Sequence, residues 1–253
     1  MALLQQIFPL TSAYLHANDQ SNSTKSHLKW DLTSALKEIE TTDCSKMVIV
    51  GPDTADKTSL VFQAAVSAAS MSQNVTHICT HPIKRLPTPV HGMPSPEQSI
   101  MKNVDFLYLD ESSELISWFA NVHIMSRLPG LIIVEDVLTY ASHLNDNLLE
   151  RSLARLCATM ADTAGWIASH NGLDKCCMIL TAPTRAIALS HVLSQFSFKV
   201  IEYLGPTKNG TGSELCFREG INTVSAKFKR HKDSLMLTEA TAFKAEKKNL
   251  QQI

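Results

Sequence analysis

The chain lacks any apolar run of about 18 residues, the length a membrane-crossing helix needs, so no membrane span is expected. Its six cysteines (Cys44, Cys79, Cys157, Cys176, Cys177 and Cys216) contain no C-x-x-C pair and no zinc-type spacing. Cys79, Cys176 and Cys177 lie inside apolar runs and read as reduced core thiols of an intracellular protein. The ten histidines are scattered, and the one pair four residues apart, His77 and His81, falls on a strand-to-loop segment that offers no single ligating face, so no metal site is expected. No sign of charge dominates: 23 Lys and Arg stand against 24 Asp and Glu, which excludes a globally basic nucleic-acid binder. The opening MALLQQIFPL has no basic region and is broken by Gln5 and Gln6, so it does not read as a signal peptide; the sequons at Asn22, Asn74 and Asn209 are then accidental.

What is present suits a soluble α/β domain. With 253 residues, 44% hydrophobic and 19% charged, the chain is long enough for one large domain with a substantial core. Residues 1–26 start apolar and turn Ser/Asn/Thr-rich, which reads as a flexible arm with a docking patch at Ile7-Phe8. Leu28, Leu32, Leu36 and Ile39 recur at helical spacing over His27–Glu40. Strand-like apolar runs follow at Met47–Val50, Val75–Thr80, Val104–Leu109, Leu131–Val134, Cys176–Leu180 and Lys199–Leu204. Helix-like stretches separate most of them: Leu60–Met71, Glu114–Met125, about Leu148–Ser169, and Thr184–Gln195. Five prolines make His81–Pro96 a long irregular excursion. Leu215–Arg218 and Thr223–Phe228 read as an antiparallel hairpin around Glu219-Gly220, and residues 229–253 as a Lys-rich polar tail. Alternating strands and helices closed by short strands predict a mostly parallel central sheet with an antiparallel C-terminal edge, spanning 27–228.

In such sheets ligands sit beyond the carboxyl ends of the strands. Here those ends carry Gly51, Thr80, Asp110, Glu135-Asp136 and Thr181. After the first strand, Gly51-Pro-Asp-Thr-Ala-Asp56-Lys57-Thr58 matches the phosphate-loop pattern G-x-x-x-x-G-K-[ST] at every fixed position but one, since Asp56 replaces the second glycine. Asp56 adds a Cβ and a carboxylate where phosphate charge should sit. Two like unit charges ~4 Å apart repel by roughly 4 kcal/mol at an effective dielectric of about 20, about three decades of affinity unless something compensates. The plain alternative is that Asp56 caps the following helix and Lys57 is solvated.

An ATPase of this architecture also needs an acid on the metal side and a residue to orient water. Glu135 or Asp136, after LIIV, is the candidate metal-side acid. Asp110-Glu111 imitates it and reads better as an N-cap. Val75–Thr80 ends without a glutamate, so the catalytic set lacks a water-orienting residue. From Lys199 onward the chain carries 10 Lys and Arg against 6 Asp and Glu. There Lys227-Phe-Lys229-Arg230-His-Lys232 interleaves an aromatic with cations, as a tract following a phosphate backbone would, or as an edge strand protected by lysines would.

Taken together, GPDTADKT, HPIKRLP, MKNVDFLYLDESSELISWFANVH, LIIVEDVLTY, LCATMADTAGWIASH and CCMILTAP resemble the SWIM-domain-associated ATPase (SWSAP) family, RecA-like recombinase paralogues of Shu-type complexes, over roughly Met47 to Phe228. The resemblance implies a RecA-like P-loop core in a nuclear DNA-repair protein. It implies a hetero-oligomer with a SWIM-domain zinc-finger protein that supports recombinase filaments on single-stranded DNA during homologous recombination. Gly51, Lys57 and Thr58 would contact the phosphates of ATP with Mg²⁺, Glu135 or Asp136 would be the metal-side acid, and the segment from Thr181 to Arg185 would face DNA. Asp56 departs from that pattern, so the expected ATPase is weak or lost. The rival resemblance is to the RecA-like Elongator subunits, which imply a structural role in a tRNA-modifying assembly.

Overall fold

The structure, a computed structural model, describes residues 6–9, 45–53, 56–90, 93, 95–144, 148–170, 172, 175–205, 212–219, 222–231 and 233–244. The helix expected over His27–Glu40 lies outside the described residues. Among the described residues nine strands form one sheet: β1 (Lys46–Gly51), β2 (Val75–Cys79), β3 (Val104–Tyr108), β4 (Leu131–Val134), β5 (Cys177–Pro183), β6 (Lys199–Leu204), β7 (Gly212–Glu219), β8 (Asn222–His231) and β9 (Ser234–Lys244). Their order is β3-β2-β4-β5-β1-β6-β7-β8-β9. The first six run parallel, and β7, β8 and β9 add an antiparallel edge. The expected α/β sheet with its antiparallel C-terminal edge is therefore present.

Met47–Val50 of β1, all of β4 and Met178–Leu180 of β5 are continuously apolar because both faces of the sheet are covered. Met47, Ile49, Leu131, Ile133 and Ile179 point to one face, where they meet helix α1 (Lys57–Ser70). Val48, Val50, Ile132, Val134, Met178 and Leu180 point to the other, where α3 (Ser112–Asn121), α4 (Val137–His143), α5 (Leu149–His170) and α6 (Ser190–Gln195) pack. In α5, Leu153, Leu156, Cys157, Met160, Ala164 and Ile167 recur every three or four residues and form its buried stripe. A one-turn helix, α2 (Gln98–Met101), precedes β3, and 3₁₀ turns cover Val122–Ile124 and Thr184–Leu189. Glu111 and Glu114 form a capping box at the start of α3, the role expected of Asp110-Glu111.

Two expectations change. The segment read as a polar tail from residue 229 instead completes β8 and supplies β9, because Leu235, Leu237 and Ala240 give it a buried side against the core. Thr238 and Glu239 interrupt that alternation. The docking patch at Ile7-Phe8 is fully buried in the same core, with the Phe8 ring 5.8 Å from that of Phe228. Between β4 and α5 the chain forms helix α4, with Tyr140 buried and its hydroxyl donating to the Leu109 carbonyl at 2.8 Å.

Candidate functional site: a phosphate-type loop occupied by its own side chains

Parallel strands place the ends of β1, β2, β4 and β5 together at one end of the sheet. β8 reaches the same end, since two antiparallel steps from β6 make it parallel to β1. Gly51 closes β1 beside Tyr203 of β6. A Cβ at Gly51 would lie 2.5 Å from the Tyr203 Cβ and 2.9 Å from its carbonyl oxygen. The first glycine of the loop pattern is thus demanded by strand packing alone.

Lys57 opens α1 and is buried, not solvated. Its ammonium has three protons and donates to three carbonyls: Gly51 at 2.7 Å, Pro52 at 3.0 Å and Ala182 at 3.1 Å. Burial lowers its pKa, opposed by the nearby carboxylates of Asp53, Asp136 and Glu135. Thr58 donates its hydroxyl to Glu135 Oε2 at 2.5 Å. The other oxygen of Glu135 meets His77 Nε2 at 2.7 Å. His77, on β2, is wholly buried and its Nδ1 finds no partner among the described residues. Sequence reading weighed His77 only as a metal ligand. Its place on β2, next to β4 in the sheet, is what brings it to Glu135, and the pattern of β2 alone does not reveal the neighbour.

Asp56 sits at the N-cap position of α1, but its side chain makes no cap bond. It accepts instead from Arg230 Nη2 at 2.5 Å, and Arg230 Nη1 also donates to Thr88 Oγ1 at 3.3 Å. Burial raises the pKa of the nearby Tyr203 phenol, opposed by Ser213 and by the backbone of Asp56. The carboxylate expected to repel an anion therefore has its own cation, a compensation that 174 residues of separation concealed.

Asp136 follows Glu135 with φ 51°, a left-handed conformation uncommon outside glycine. Its backbone N–H donates to Thr181 Oγ1 at 2.9 Å and its Oδ2 accepts from Thr139 at 2.6 Å, while its buried Oδ1 has no partner among the described residues. Between the two candidate acids, Glu135 has both oxygens engaged and Asp136 keeps one unpaired beside an open cleft of about 350 Å³ lined by Pro52, Asp53, Pro183, Thr184 and Arg185. Among the described residues no group of three or more His, Cys, Asp or Glu side chains is placed to hold a metal ion.

Of the cations expected to meet DNA, Lys227, Lys229 and Arg230 lie on β8 and Arg185 follows β5. Lys227 pairs with Glu239 at 2.9 Å and Arg230 with Asp56, whereas Lys229 and Arg185 are exposed with no ion pair among the described residues; Lys232 lies outside them. Arg185 sits at the cleft on the first turn after β5. Among the described residues no helix is long and apolar enough to cross a membrane. In comparison with known proteins, the chain matches no family model and no curated protein.

Proposed function

We propose that the chain is a RecA-like mediator of homologous recombination that acts by binding partners, with a phosphate loop that has become a structural element. The observation carrying this reading is the internal engagement of the loop. Lys57 is spent on three carbonyls, Thr58 on Glu135 and the Asp56 carboxylate on Arg230. As they stand these donors do not fit ATP with Mg²⁺: each would have to leave a partner inside the fold, and a buried group that loses its partner costs about 1–3 kcal/mol. The architecture supports the RecA-like part of the reading, with the loop strand β1 inside a parallel core and an antiparallel edge beyond β6. The partners we assign are a SWIM-domain zinc-finger protein in a nuclear hetero-oligomer, the recombinase it serves, and single-stranded DNA met by Arg185 and Lys229.

Affinity purification of the tagged chain from cell extract, followed by mass spectrometry, tests the assignment. Recovery of a SWIM-type zinc-finger protein is expected. Recovery of Elongator subunits in its place would overturn recombination and move the role to tRNA modification.

A further inference from the structure

The proline-rich excursion was not absorbed by the site, and one of its residues touches it. Thr88 and Ser95 are the two Ser or Thr residues that precede proline anywhere in the chain. From His81 to Pro89 the backbone is neither helix nor strand, with Pro82, Pro87 and Pro89 favouring extended conformation. Thr88 is half-buried; its N–H is held by Ser59 Oγ at 3.0 Å, and its hydroxyl faces the guanidinium of Arg230 at 3.3 Å. That guanidinium is about half exposed and simultaneously grips Asp56. We propose that Thr88 is a phosphorylation site for a proline-directed serine/threonine kinase, and that Arg230 captures the phosphate in exchange for Asp56.

The chemistry is phosphoryl transfer from ATP bound to the kinase. The Thr88 Oγ1–P bond forms as the bond from the γ-phosphorus to the β–γ bridging oxygen breaks. ADP leaves with that electron pair, and the hydroxyl proton passes to the kinase's catalytic carboxylate. Proline at the next position removes an N–H and presets the extended backbone such kinases select. The product carries about −1.5 to −2 charges and three acceptor oxygens, which an arginine fork meets in a bidentate pair. One carboxylate oxygen competes poorly with that, so Arg230 turns from Asp56 to the phosphate and uncouples β8 from the loop. Ser95, exposed and without a cation against it among the described residues, is the internal comparison. The site does not depend on the mediator reading.

The test treats the full folded chain with a proline-directed kinase and MgATP, maps the phosphate by mass spectrometry, and titrates it by ³¹P NMR. A peptide of residues 81–96 serves as the kinase control. The expected result is phosphate on Thr88 with a second pKa at least about half a pH unit below the ordinary ~6, restored in Arg230→Ala. Arg230→Gln repeats the comparison should the alanine variant not fold. Phosphate on Ser95 alone, a labelled peptide beside an unlabelled chain, no labelling of either, or a pKa indifferent to Arg230 would each overturn the proposal.

Discussion

Lys57 separates a structural loop from a catalytic one at the level of a single side chain. A lysine awaiting phosphate is dispensable to folding, whereas this one satisfies the carbonyls of Gly51, Pro52 and Ala182. Lys57→Ala leaves those acceptors short of a donor and is expected to lower unfolding stability by about 1–3 kcal/mol in urea titration. Arg230→Ala breaks a pair whose partners are 52% and 30% exposed, so its expected cost stays within about 1 kcal/mol. Gly51→Ala forces a Cβ against the Tyr203 backbone and is expected to cost about 1–3 kcal/mol, ligand or none. The buried thiols set an alkaline limit. Burial pushes Cys79 up to about 11 and Cys157 and Cys176 up to about 12, against an ordinary value of 9.0. A raised folded-state pKa means the folded chain holds the proton more tightly. Its contribution to stability is complete below pH 9 and falls as pH rises from about 9 to about 12. Melting temperatures should therefore hold between pH 8 and about 9 and decline from there to pH 11, and the same thiols should resist alkylation at pH 8 until the chain is denatured.

Among elements, β9 and the Ile7-Phe8 clip decide the C-terminal edge. Phe8 is fully buried against Phe228, so Phe8→Ala is expected to cost about 3–5 kcal/mol, read by urea denaturation. A solvated arm would show no change. The parallel core was legible in the chain because continuous apolar runs such as LIIV and CCMIL need burial on both faces, and their strand boundaries follow from flanking turn residues. β9 was not, because its alternation is interrupted: the register shifts between Lys227 and Phe228 where β8 meets it, and Glu239 and Thr238 break the apolar pattern. The loop was legible as a motif, and Asp56 as its departure. The partners of Asp56, Glu135 and Lys57 were not, because Arg230, His77 and Ala182 reach them only through sheet order, which local spacing does not encode.

Across the whole molecule, the end of the sheet where an α/β protein binds its ligand is crowded with groups that answer one another. Acids and bases there balance in pairs: Asp56 with Arg230, and Glu135 with Thr58 and His77. What stays unpaired among the described residues is Asp136 Oδ1, with Arg185 lining the same cleft. This arrangement fits a protein that keeps the architecture of a nucleotide-binding core and uses it to hold its shape for partners. Calorimetric titration of the purified chain with MgATP, beside Lys57→Ala, tests that claim most directly. No saturable binding is expected at concentrations up to about 1 mM, a binding free energy no better than about −4 kcal/mol, for either chain. Saturable binding in the micromolar range that Lys57→Ala abolishes would contradict it.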